Sequence, residues 1–240
     1  MNFKDCIDSY PFILMEGALG ERLKREFDLD ISGTVAMADL IYQQKGRMAL
    51  KTLWNEYMDI AHRYQLPFLA TTPTRRANKE RVYMAGYNES IIADNVDFLR
   101  SIKEAANVDM YIGGLMGCKG DAYTSERALN QEEAIAFHSW QASLFKSVGV
   151  DFLYAGIMPV LSEAIGMAVA MSDTDIPYII SFTIQRNGKL IDGHTINDAI
   201  YYIDNHVSNK PVCYMTNCVH PDIVYEALSH KFNQTQTVKS

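Results

Sequence analysis

The groups able to do chemistry in this 240-residue chain lie beside short apolar runs. Cys218 directly follows Asn217 at the end of one such run, and a thiolate there is both a nucleophile and a soft metal ligand. Cys118 lies in GCKGDAYTSE (117–126), where Gly117 and Gly120 let backbone amides face a ligand and Asp121 offers a carboxylate to an amine. Glu16 and Gly17 close the run FILMEG (12–17). A carboxylate in that position is expensive to bury alone and reads as a holder of an amino group. Thr72, Thr74, Arg75 and Arg76 form a polar tip whose guanidinium groups suit a substrate carboxylate. His194 in DGHT lies on a loop and has no evident partner in the sequence, and His138 falls on an amphipathic stretch and reads as structural. Each site has a plainer competitor: a buried thiol at Cys218, an ordinary turn at 117–126, a solvated rim at Glu16 and the arginines. The four cysteines (6, 118, 213 and 218) form no C-x-x-C pair, and Cys213 within its run reads as core. No G-x-S-x-G, H-E-x-x-H or Walker A pattern is present.

The elements that must position these groups alternate. Six short, nearly continuous apolar runs read as buried parallel strands: FILMEG (12–17), PFLATT (67–72), DMYIGG (109–114), DFLYAG (151–156), YIISFT (178–183) and PVCYMTN (211–217). Between and after them, 47–64, 88–106, 130–148, 161–174, 195–206 and 221–230 read as helices. In the first, Leu50, Leu53, Trp54, Tyr57 and Ala61 recur at helical spacing; Pro221 opens the last. The strand-to-strand interval is roughly 40 residues, long enough for crossover helices. With no glycine-rich turn after the first strand and polar residues at nearly every strand end, the expected fold class is α/β, a (β/α)8 TIM-barrel type with about six βα units visible. The tail FNQTQTVKS shows no packing pattern. Residues 1–240 then form a single barrel-type catalytic domain, incomplete at its C-terminal side. Its open strand edges lead us to expect a homo-oligomer.

Composition narrows the partners. A formal charge of -7 and the lack of a basic stripe give no electrostatic reason to bind nucleic acid. No run of about 18 apolar residues occurs, so no membrane span is expected, and the N-terminus lacks the features of a signal peptide. A domain of this size needs no disulfide staples, and reduced thiols in the cytoplasm are the simplest reading of the four cysteines.

Taken in order, the motifs resemble those of the homocysteine S-methyltransferase family over essentially the whole chain. MEGALGERL (15–23) is similar to that family's opening DGGxGTxL, and TPTRRAN (72–78) to its TxTxxAS/N element. GCKGDAY (117–123) is similar to GPxGDxY, and GVDFLYAGIMPVLSEA (149–164) to GVDLLxFETIPxxxEA. SFTIQRNGKLIDG (181–193) and TNCVHPDIV (216–224) resemble SFTxxxxGxLxDG and GxNCxxPxxx. The resemblance implies a (β/α)8 barrel that moves a methyl group from a small donor (S-methylmethionine, S-adenosylmethionine, betaine or methyltetrahydrofolate) to the thiol of homocysteine or a related thiol. It also implies zinc, held by three cysteines that bind the substrate thiolate. One of the three falls on Cys218; the other two, an adjacent pair after the eighth strand, have no counterpart before Ser240. By the same resemblance Glu16, Gly17 and Asn217 position substrate, while Thr72 and Asp121 line the pocket. The departures are Glu16 and Ala18 for the family's Asp and second Gly, Glu21 for its Thr, and Gly156 for the Glu of FET. They raise the alternative of a truncated or inactive barrel that binds a small molecule or a protein. A lyase or aldolase barrel would need a strand lysine or a carboxylate cluster, and neither is evident.

Overall fold

The computed structural model describes residues 1–233 and 238–239. The chain is an α/β protein of the parallel (β/α)-barrel type, and every expected strand and helix falls on an observed one. Two compact units make it up: residues 1–115 with 144–152, and residues 116–143 with 153–240.

In the first unit, β1 (Leu14–Met15), β2 (Phe68–Thr71) and the start of β3 (Met110–Gly117) run parallel, with Leu14 opposite Phe68 and Leu69 opposite Tyr111. All four β2 residues are buried, which explains its unbroken apolar pattern. Between the strands come α2 (Leu19–Phe27), the long α3 (Gln44–Tyr64), α4 (Lys79–Met84) and α5 (Ser90–Lys103). Helix α3 buries Leu50, Leu53, Trp54, Met58 and Ala61 on one stripe and stops at Gln65, whose left-handed backbone (φ 54°) returns its N–H to the last turn. Periodicity alone did not raise α1 (Phe3–Ser9), α2 or α4, all short. Helix α1 is capped by the Asn2 side chain and docks through Phe3, stacked on Phe152 with ring centroids 4.4 Å apart.

In the second unit, β4 (Phe152–Met158) runs parallel to β5 (Tyr178–Phe182), and β5 to β6 (Cys213–Thr216). The connecting helices are α6 (Gln131–Val148, which enters both units), α7 (Leu161–Ser172) and α8 (Ile196–His206). Helix α8 starts from a capping box in which Thr195 and Asp198 each accept the other's backbone N–H. Helix α9 (Pro221–Ser229) opens with proline, as read from sequence. The pairing of β4 with β5 breaks between Ala155 and Met158, where Ile157 takes φ 60°, a conformation a β-branched residue adopts only under constraint. The tail differs from expectation. Val238–Lys239 forms a two-residue strand, β7, parallel to β6 with Tyr214 opposite Val238. A strand that short carries no periodicity to read, and 234–237 and 240 lie outside the described residues. Among the described residues no helix is long and apolar enough to cross a membrane.

Candidate functional site

The residues singled out from sequence sit just past the C-terminal ends of their strands, where parallel βα units place ligand-binding groups. In the first unit, Glu16 follows β1. Its Oε1 accepts hydrogen bonds from the Thr71 N–H (2.8 Å) and the Thr71 hydroxyl (2.5 Å). Its Oε2 is buried and has no hydrogen-bond partner among the described residues. Burial pushes the carboxyl up from 4.5 to about 7, against the two Thr71 hydrogen bonds, which favour the charged form. Here, then, is a carboxyl with one open valence, poised between protonated and ionised near neutral pH. Gly17 beside it is exposed, and its carbonyl accepts the Tyr57 hydroxyl at 2.5 Å. Ala18 is left-handed (φ 50°), so the substitution for glycine is accommodated with its Cβ in a disfavoured backbone region.

Thr72 lies at the end of β2 and is fully buried. Its hydroxyl accepts the Leu115 N–H (3.1 Å) and donates to the Thr74 hydroxyl (2.7 Å), which in turn donates to the Leu115 carbonyl (2.9 Å). This closed ring of hydrogen bonds ties the end of β2 to β3.

In the second unit the loop 118–130 joins β3 to α6. Asp121 is exposed, and its Oδ1 accepts the N–H groups of Tyr123 (2.7 Å) and Thr124 (2.9 Å) in an Asx turn. Gly120 is required there: a Cβ would lie 1.7 Å from the Glu126 carbonyl oxygen, which accepts the Asp121 N–H. Cys118 Sγ points at the Gly120 carbonyl, 3.6 Å away. Asn217, after β6, accepts the Ser181 hydroxyl at 2.5 Å and turns its amide nitrogen to the Cys218 sulfur at 3.6 Å. Cys218 is exposed, with left-handed backbone (φ 57°). His220 caps α9 by accepting the Asp222 N–H.

The structure therefore brings Asn217 together with Cys218, and Glu16 into contact with Thr71. These residues do not fit a zinc ion. Among the described residues no group of three or more His, Cys, Asp or Glu is placed to hold a metal, and the neighbour turned toward Cys218 is an amide that cannot replace a thiolate.

Sequence reasoning missed Glu163. It is fully buried in the first turn of α7 and accepts hydrogen bonds from both ends of the 118–130 loop. An acidic residue in a first helical turn just after a strand was the available signal. His138, read as structural, is its buried partner at 3.1 Å. His194, read as partnerless, lies 3.0 Å from Asp192, whose other oxygen accepts the Leu161 N–H at the start of α7.

Comparison with known proteins matches residues 13–239 to the family described as homocysteine S-methyltransferase. A Bacillus subtilis (strain 168) protein named homocysteine S-methyltransferase YbgG is 23% identical over 217 residues, covering 83% of this chain and 67% of its own. Among solved structures, the Escherichia coli homocysteine methyltransferase MmuM in its oxidized form superposes with a TM-score of 0.81 at 18% identity, over 98% of this chain and 83% of that one. Its metallated form gives 0.76 at 19% identity, over 92% and 80%. At those identities the likeness to the solved structures is one of fold.

Proposed function

Because this chain belongs to the homocysteine S-methyltransferase family, we propose that it binds a small thiol amino acid of the homocysteine type and serves methyl transfer to its sulfur. In that reaction the donor's bond to its methyl group breaks, a carbon–sulfur bond forms, and the thiol proton passes to solvent. The observation that carries the reading is the Glu16 carboxyl at the end of β1, buried, anchored on one oxygen by Thr71 and open on the other. An ammonium group is the natural occupant of that valence, because it removes the cost of ionising the carboxyl. Asn217, held by Ser181, turns its amide nitrogen to the Cys218 sulfur in the second unit. The cysteine spacing, with no C-x-x-C pair, supports action in the cytoplasm, and exposed Tyr201 and Tyr225 support association of copies, which light scattering tests.

A second reading, binding without turnover, is favoured by the poor fit to zinc, since a single thiol does not make the metal site that would activate the substrate. One experiment separates the two. The protein is incubated with homocysteine and each of four donors (S-methylmethionine, S-adenosylmethionine, betaine and methyltetrahydrofolate), with and without added zinc. Methionine is quantified by mass spectrometry and homocysteine binding by calorimetry. Methionine formation supports transfer, and binding without product supports the second reading. Absence of both refutes both.

A further inference from the structure

Glu163 spends a buried charge on something the proposed chemistry does not use. Its Oε1 accepts the Lys119 N–H at 2.7 Å and faces His138 Nε2 at 3.1 Å, and its Oε2 accepts the Leu129 N–H at 3.3 Å. Glu163 and His138 are 0% and 1% exposed. A carboxylate so enclosed is tolerated only when donors surround it, and here the donors come from three separate segments. Two of them, Lys119 and Leu129, stand at opposite ends of the 118–130 loop. The Ser162 hydroxyl, next in sequence to Glu163, adds a hydrogen bond to the Leu129 carbonyl at 2.9 Å. The interior of the loop is shaped by its own contacts, the Asp121 Asx turn and the Gly120–Glu126 approach, whereas its ends converge on one side chain of α7.

We propose that Glu163 is the positioning residue of the 118–130 loop: its carboxylate clamps both ends and thereby fixes where Asp121 is presented. The part concerning substrate rests on the proposed function. His138 completes the clamp by donating to the carboxylate through Nε2, leaving the two carboxylate oxygens shared among three donors.

The test uses trypsin, because the loop carries Lys119 and the exposed Arg127. Glu163→Gln keeps the size of the side chain, removes its charge, and turns an NH2 group toward a donor. Losing one charge-assisted hydrogen bond opens the loop roughly tenfold more often, so cleavage after Arg127 is expected to accelerate by about that factor. Ser162→Ala, which removes a neutral hydrogen bond to the same loop, is expected to have a smaller effect. With substrate, Glu163→Gln is expected to raise KM more than it lowers kcat. Cleavage after Arg127 no faster than in the unaltered protein overturns the proposal, even if the whole-chain unfolding midpoint falls, because that pattern marks a residue that only stabilises the core. Should Glu163→Gln not fold, amide exchange in the unaltered protein decides. The Lys119 and Leu129 amides, which donate to the buried Glu163, are expected to exchange more slowly than the exposed Tyr123 and Thr124 amides of the Asx turn, and exchange of Lys119 and Leu129 as fast as those two overturns the clamp. Neither cleavage nor exchange needs a ligand, so a protein that binds no thiol amino acid refutes the functional reading while leaving the clamp to be judged on its own.

Discussion

Replacing Glu16 by Gln should remove a pH-dependent loss of stability that the unaltered protein carries. Burial raises the Glu16 carboxyl from 4.5 to about 7, and the Thr71 N–H and hydroxyl only partly offset it. In the unfolded chain the same carboxyl titrates near its ordinary value. Below that value both states are protonated, and the native environment costs nothing in ionisation. As pH rises from about 4.5 to about 7, the unfolded chain releases the proton while the folded chain keeps it. Stability therefore falls across that window and levels off above it. Moving a carboxyl that far corresponds to about 3 kcal/mol. Urea unfolding of both proteins from about pH 4 to about pH 8.5 should show their stabilities diverging in favour of Glu16→Gln by an amount of this order. The same geometry governs binding. An ammonium-bearing ligand needs the carboxylate, so its affinity should rise with pH through about 7 in the unaltered protein and stay flat in Glu16→Gln. An N-acetylated analogue should show no such rise. Stability curves for the two proteins that run parallel across the whole range would refute the assignment of a raised carboxyl at this position.

Three further outcomes follow from local geometry. Gly166→Val in α7 should lower stability by about 1–3 kcal/mol in thermal unfolding, since a Cβ there meets the Ala134 Cβ at 2.4 Å and the Gln131 carbonyl at 2.6 Å. Gln65→Gly should raise stability by about 1 kcal/mol in urea unfolding, because the exposed C-cap of α3 holds a left-handed backbone that glycine adopts without penalty. Cys218→Ser should leave bound zinc per chain unchanged in equilibrium dialysis read by atomic emission; a drop would establish the thiol as a ligand and revise the reading of the site.

How far the fold could be read depended on element length and on burial of both faces. Strands such as β2, buried at every position, left continuous apolar runs that only a parallel sheet with covering helices explains. Helix α3 was legible because 21 residues give several turns of periodic burial. Helix α1, at seven residues, spans under two turns, and its place is fixed by Phe3 against Phe152, a pairing 149 positions apart in sequence that periodicity cannot see. The same applies to β7, whose two residues are a strand because β6 pairs with them. The bulge at Ile157 was invisible for a different reason: sequence pattern argues against a left-handed β-branched residue, and only the pairing of β4 with β5 imposes it.

At the site, residue type and strand-end position nominated the right neighbourhoods but could not tell which polar groups were already spoken for. Thr72 and Glu16 read alike in sequence, as polar residues closing an apolar run. The Thr72 hydroxyl accepts from Leu115 and donates to Thr74, so a ligand would have to break the ring that holds β2 to β3. Glu16 satisfies one oxygen through Thr71 and leaves the other buried and open, a state that costs free energy until something binds. Glu163 is the opposite case, a buried carboxylate whose oxygens are all engaged by protein, which makes it a clamp and not a receptor. The distinction between a structural and a ligand-binding acid is thus a matter of hydrogen-bond accounting, settled by residues such as Thr71, Lys119 and Leu129, which are 55, 44 and 34 positions away in the chain. At Cys218 the same accounting yields a single contact, the Asn217 amide nitrogen 3.6 Å from an exposed sulfur, and among the described residues no group of three His, Cys, Asp or Glu stands ready to hold a metal, so a motif that names one thiol does not by itself supply a metal site.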